Sequence, residues 1–260
     1  LTPQERSQIF RLKAREKAKT DTLFLAREIL GYKFFTDQPY LRLKNFYDRP
    51  EKKKMLLWPR ETGKTTWGIC NTVKILLNDP EARIVIVSDT EPIASGILEA
   101  VKSHFLSTDM LRFCFPEHCN IDPRYAGTKT EFSLPNKTQI TLEPSILAAG
   151  RETALTSKHF THVLFEDLVT EKNTTTKELC DSVVNFYKRF QYFMTKDAVI
   201  HINGTRYSPY DLYGWIMKNL SDEFALEIAA IEDPLTGELL CPEWYPKSRI
   251  EEKRRNSQRN

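Results

Sequence analysis

Glycine is scarce in this chain, 9 residues in 260, so each one is expected where the backbone needs its freedom. Gly63, Gly150 and Gly204 all fall in candidate motifs. The five cysteines, Cys70, Cys114, Cys119, Cys180 and Cys241, are odd in number, dispersed and without a CxxC pair. That excludes a disulfide framework and points to reduced thiols. "CFPEHC" (114–119) sets a histidine between two cysteines, but the spacing is wide and no second ligand pair follows, which argues against zinc. There is no apolar run near the ~18 residues that span a bilayer and no secretory leader, so neither a membrane span nor signal-directed export is expected.

What is present is ordinary for a globular chain: 40% hydrophobic and 28% charged residues, with length enough for one large domain or two small ones. The formal net charge of +3 hides an uneven distribution. Residues 1–20 carry six Lys/Arg against two Glu, and residues 241–260 carry six against three, so the middle is net acidic. Basic ends of this kind are solvated faces or attract a nucleic-acid backbone.

Apolar residues between Phe10 and Leu30 are spaced for one or two amphipathic helices, closed by Gly31, and Pro39 is placed to open a short helix through "YLRLKNFY". From residue 54 short apolar runs alternate with helical segments: "KMLLW", "RIVIVSD", "THVLFED", "AVIHING" and "FALEIAAIED". That rhythm predicts a mainly parallel α/β sheet flanked by helices. Helices are expected after the first two runs, over 174–194 and over 209–219. "EFSLPN" and "TQITLEP" predict a hairpin insertion over 131–144. The chain divides into an N-terminal helical segment with an adjoining loop (1–50), a core (51–233) and a C-terminal linker (234–260).

Two motifs carry chemistry. In "LLWPRETGKTTWG" a strand enters the loop "PRETG" and leaves into a helix, the frame in which backbone N–H groups and a helix N-terminus cradle phosphate. Arg60, Glu61, Thr62, Gly63, Lys64, Thr65 and Thr66 form this candidate site. Lys64 is suited to the β/γ-phosphates and Thr65 to Mg2+. Trp58 stands where the loop's first glycine belongs, and Arg60 is unusual inside it. About 100 residues on, "HVLFED" delivers Glu166 and Asp167 from an apolar strand at its C-terminal end, where α/β ligands bind. There the first acid can orient Mg2+ through water and the second can take a proton from attacking water.

The order "PRxxGKT", then "GR" some 15 residues before an acidic pair followed by "LVT", then "GTRYSPYDLYG", resembles the ATPase domain of the large terminase subunit of tailed bacteriophages. The resemblance spans about residues 35–245. It implies a P-loop NTPase of the ASCE type, with ATP and Mg2+ as cofactors, and an ATP-hydrolysing motor that drives double-stranded viral DNA into a procapsid. It implies as partners a homo-oligomeric ring, expected to be a pentamer, on a portal protein, with a small terminase subunit, in the host cytoplasm. The family's deviant loop lacks the first glycine and carries an arginine, as Trp58 and Arg60 do here.

Carried over by position, Glu166 matches the acid that positions Mg2+ and Asp167 the catalytic carboxylate, in the reverse of the more usual Asp-Glu order. Thr205 matches the motif that senses loss of the γ-phosphate. Arg60 and Arg151 match arginines that stabilise the transferring phosphoryl group, one within the subunit and one from a neighbour. Arg151 lies in "LAAGRETALTS", which reads as an exposed, mobile connection able to reach an adjacent subunit; a solvated loop arginine or a DNA phosphate contact are its other readings. Phe35, Gln38 and Tyr40 resemble the segment that contacts adenine, and Phe35 and Tyr40 equally suit a core beneath the sheet. The nuclease domain of full-length terminases has no counterpart among these residues, so an isolated motor domain is expected. A helicase or repair-type DNA-dependent ATPase is the alternative, and a degenerate nucleotide-binding scaffold a third reading.

Overall fold

The computed structural model describes residues 1–36, 38–122 and 127–257. Helix α1 (Pro3–Thr20) opens with a capping box at Thr2 and Glu5 and is followed by α2 (Thr22–Phe24), a π-helical turn and α3 (Tyr40–Tyr47). Then come β1 (Lys53–Leu57), α4 (Lys64–Asn78), β2 (Ile84–Ser88), α5 (Glu91–Ser107), α6 (Asp109–Cys114) and α7 (Pro116–Cys119). The remainder is β3 (Glu131–Phe132), β4 (Ile146–Gly150), β5 (Phe160–Glu166), α8 (Lys177–Phe190), β6 (Met194–Gly204), α9 (Leu212–Asn219), β7 (Ala225–Ile228) and α10 (Lys247–Ser257).

Among the described residues seven strands form one sheet in the order β3-β4-β2-β5-β6-β1-β7, parallel except for β3. Both faces are covered, which is why the strands read as unbroken apolar runs. Side chains alternate between two cores. Leu56, Ile84, Ile86, Ile146, Ala148 and Leu164 pack on the face of α4 and α5, while Met55, Val85, Val163, Phe165, Ile200 and Ile202 pack on the face of α8 and α9. The same phase sends Glu166 toward α4, two residues beyond Leu164, and sends His201 and Asn203 there from β6.

Two expectations fail in the same region. "TQITLEP" forms no strand, and Ile140 and Leu142 are 103% and 75% exposed. The antiparallel partner of β3 is instead β4, pairing Glu131 with Leu147 and Phe132 with Ile146. The first four residues of "LAAGRETALTS" (147–157), expected as exposed, mobile connection, thus belong to a fully buried strand, 146–150, beside β2. Small residues hide it: Ala148, Ala149 and Gly150 give neither a β-branched run nor a period of two.

Candidate functional site

The strand that carries the loop, β1, and the strand that carries the acid pair, β5, are separated by β6 alone. All three end on the same side of the sheet, so the loop, Glu166-Asp167 and Thr205 converge there.

Trp58 does not disturb the loop because left-handed backbone is needed elsewhere. The positive φ angles lie at Glu61 (61°) and Gly63 (75°), and Trp58 is free to bury its ring, 1% exposed, with Nε1 donating to Glu227 at 3.2 Å. Gly63 caps α4 in left-handed conformation, and a Cβ there would press on Phe35 at 3.2 Å. Thr62 is buried and ties its hydroxyl to the Pro59 carbonyl at 2.7 Å. Thr205 donates to the Trp58 carbonyl at 3.3 Å, joining the end of β6 to the start of the loop.

At the helix start Lys64 is buried along its stem, 5% exposed, with Nζ 3.6 Å from Asp167 Oδ1. Thr65 Oγ1 donates to Glu166 Oε2 at 3.2 Å, and Thr66 is half-buried on the same turn. Glu166 is 1% exposed, and burial, reinforced by the charge of Asp167, pushes its carboxyl up to about 8. Asn203 Nδ2 donates to Glu166 Oε1 at 2.6 Å, and the Tyr47 hydroxyl donates to Asn203 Oδ1 at 2.5 Å. Asp167 differs from its neighbour in every respect: it sits at φ 44°, is 42% exposed, and faces the open end of the site. One acid is enclosed and fixed; the other is accessible to water.

Arg60 is exposed, with its guanidinium over the Tyr207 ring at 5.4 Å and an N–H donated to the Tyr207 hydroxyl. Arg151, just beyond β4, is 19% exposed and not dangling: Nε donates to Asp89 Oδ1 at 2.7 Å, and Asn173 Nδ2 donates to the same oxygen at 3.0 Å. Phe35 and Tyr40 are core residues, 0% and 2% exposed, and the Tyr40 hydroxyl holds the Thr62 carbonyl at 3.1 Å, supporting the loop from beneath. Gln38 is exposed. The half-buried rings nearest Gly63 are Phe34 and Trp244, 5.0 Å apart between centroids.

Several participants carry no motif. Gly68 lets α4 close on the acid: a Cβ there would lie 2.6 Å from Glu166 Oε1 and 3.1 Å from Asn203 Nδ2. The C-terminal segment crosses the loop, where the Tyr245 hydroxyl lies 2.8 Å from both the Arg60 carbonyl and Glu61 Oε2, with one proton to donate between them, and Arg249 donates to Glu61 Oε2 at 2.7 Å. Burial and the Glu61 carboxylate raise the Tyr245 hydroxyl to about 12.

The donors suit Mg2+. Thr65, Glu166 and Asp167 offer hard oxygens, and among the described residues no group of three or more His, Cys, Asp or Glu gathers that could cage a metal. Mg2+ keeps several waters and takes one or two carboxylates besides substrate phosphate, and Thr65, Glu166 and Asp167 are donors of that kind.

No protein-family model matches the chain, and no curated protein matches it significantly. Among the described residues no helix is long and apolar enough to cross a membrane. A chain in the S. cerevisiae structure of Dbp5 with Nup159, Gle1, IP6 and ADP aligns at TM-score 0.47 and 14% identity, over 80% of this chain and 52% of that one. This chain therefore spans about half its length. A mutant ATPase domain of a Thermus phage large terminase aligns at TM-score 0.52 and 15% identity, over 86% of this chain and 91% of that one. The likeness to the terminase domain, with the sheet and loop described above, makes this an α/β fold of the P-loop NTPase kind.

Proposed function

We propose that the chain is an ATP-hydrolysing motor domain that powers translocation of double-stranded viral DNA into a procapsid. The observation that carries ATP hydrolysis is the meeting of two pairs at the strand ends, Lys64 with Asp167 at 3.6 Å and Thr65 with Glu166 at 3.2 Å. The likeness in fold to a terminase ATPase domain supports the motor reading.

In this reading the loop's N–H groups and the start of α4 bind the phosphates, and Lys64 turns from Asp167 to the β/γ-phosphates. Mg2+, when bound, neutralises phosphate charge as it builds during transfer. Thr65 and Glu166 would hold it, the acid through water. Asp167, accessible and beside the reacting phosphate, orients the attacking water and accepts its proton. Arg60 supplies positive charge within the subunit once it leaves Tyr207. Arg151 does so from a neighbouring subunit of a homo-oligomeric ring on a portal, with a small terminase subunit as a further partner. Thr205, bonded to the loop, reports loss of the γ-phosphate to β6.

The test is ATP turnover by the purified chain, alone and with linear duplex or single-stranded DNA, over a range of protein concentration. The motor reading expects duplex-linked or assembly-dependent turnover. Stimulation by single strands alone would favour a helicase or repair ATPase, and no turnover under any condition a nucleotide-binding scaffold.

A further inference from the structure

The two oxygens of Glu166 have different partners: Oε2 receives the Thr65 hydroxyl and Oε1 receives the Asn203 amide. We propose that Asn203 and Tyr47 are positioning residues, a buried hydrogen-bonded chain that fixes the Glu166 carboxylate with Oε2 turned toward Thr65 and the Mg2+ the pair would share. The inference rests on the reading of Glu166 as the metal-orienting acid.

The chain has a single sense. Glu166 and Asn203 are register partners on adjacent strands, so their side chains leave the sheet side by side on the α4 face. Ionised, as it must be to orient Mg2+, Glu166 can only accept at Oε1, so the amide presents Nδ2 to it, and Oδ1 then faces Tyr47, whose hydroxyl donates. All three side chains are enclosed: Asn203 is 0%, Glu166 1% and Tyr47 8% exposed, and Gly68 brings the α4 backbone against both Oε1 and Nδ2. The Tyr47 ring is itself fixed by Phe46, Trp67 and His201, at centroid distances of 5.3, 6.1 and 5.0 Å. Without the Tyr47 donor the amide loses the contact that sets its orientation. Without Asn203, Oε1 is left buried and unpaired, and the carboxylate is free to rotate Oε2 away from Thr65. Such partners behind a metal-orienting group typically contribute about 10- to 100-fold in metal affinity. Because Tyr47 ends α3, the chain also ties the N-terminal helical segment to the metal acid.

The experiment follows binding, not turnover. The affinity of the full chain for fluorescent methylanthraniloyl-ADP is measured in EDTA and across a Mg2+ titration, for the unsubstituted protein, Asn203→Ala, Tyr47→Phe and Glu166→Gln. In EDTA Asn203→Ala and Tyr47→Phe should bind within about twofold of the unsubstituted protein, since Lys64 and the loop are untouched. The Mg2+ needed for half-maximal effect should rise about 10- to 100-fold in Asn203→Ala and by a smaller factor in Tyr47→Phe. If both variants keep the unsubstituted Mg2+ dependence while Glu166→Gln loses it, the chain is only structural and the proposal falls alone. If Glu166→Gln keeps it too, the metal reading of Glu166 falls and takes the proposal with it. Should Asn203→Ala fail to fold, Tyr47→Phe decides, because it removes one oxygen and leaves the ring packing.

Discussion

Lys64 and Asp167 face each other across the mouth of the site, Nζ to Oδ1 3.6 Å, with the lysine enclosed and the aspartate open to solvent. In this arrangement the aspartate holds the cation that the phosphates need. Asp167→Asn should therefore bind ATP at least as tightly as the unsubstituted protein, while turnover falls by about 10²- to 10⁴-fold for want of a proton acceptor. Glu166→Gln should instead weaken the Mg2+ dependence of binding. Equilibrium binding and steady-state turnover of the two variants check both, and the opposite pattern would exchange their roles.

The tether on Arg151 bears on the assembly. Arg151→Ala should leave ATP affinity of the monomer unchanged and lower assembly-dependent turnover by about 10³- to 10⁵-fold, the usual effect of an arginine supplied in trans. Asp89→Ala should produce part of that loss by releasing the guanidinium from its 2.7 Å contact. Mixing Arg151→Ala subunits with otherwise inactive Lys64→Ala subunits should restore turnover. A mixture as inactive as its components would place the action of Arg151 within its own subunit or nowhere.

The C-terminal segment should matter more through Tyr245 than through Arg249. The Arg249 and Glu61 side chains are 41% and 56% exposed, and ion pairs of that kind contribute about 0–1 kcal/mol. Tyr245 is 1% exposed, and its hydroxyl binds both Glu61 and the Arg60 carbonyl. Tyr245→Phe should weaken ATP binding severalfold, with Arg249→Ala close to neutral. Equal effects from the two would mean that charge, not the fixed hydroxyl, steadies the loop.

Two buried groups give stability opposite pH slopes. Burial, with the charge of Lys54 nearby, lowers His201 to about 3. From its ordinary ~6.5 down toward that value the unfolded chain binds a proton the folded one refuses, so stability falls with acidification. Glu166, raised to about 8, works the other way. Between the ordinary glutamate value of ~4.3 and pH 8 the folded chain holds a proton that the unfolded chain has lost, so stability falls as pH rises. Above pH ~6.5 only the second slope remains. Urea unfolding should show a decline from pH 6.5 to 8 that Glu166→Gln removes, while His201→Gln flattens the acid side. An unchanged alkaline slope in Glu166→Gln would mean that Glu166 is already ionised in the folded chain.

The loop, the acid pair and Thr205 were legible because each sits at the end of a strand whose apolar run is continuous and local. Their roles are the reading of the site, but their convergence follows from parallel strands ending on one side. Strand β4 was not legible, since small residues buried on both faces lack periodicity. The false hairpin had the reverse fault: Ile140 and Leu142 alternate like a strand yet no partner covers them. Tyr47 and Asn203 were missed because their contact joins residues 156 apart, a pairing that only the sheet order creates.

The most direct measurement is release of phosphate from ATP and Mg2+ by the purified chain, beside the Lys64→Ala variant, at concentrations spanning assembly and with duplex DNA present. Turnover should grow with assembly and vanish in Lys64→Ala. Turnover of ordinary size in Lys64→Ala, or none in the unsubstituted chain under every condition, would contradict the motor reading.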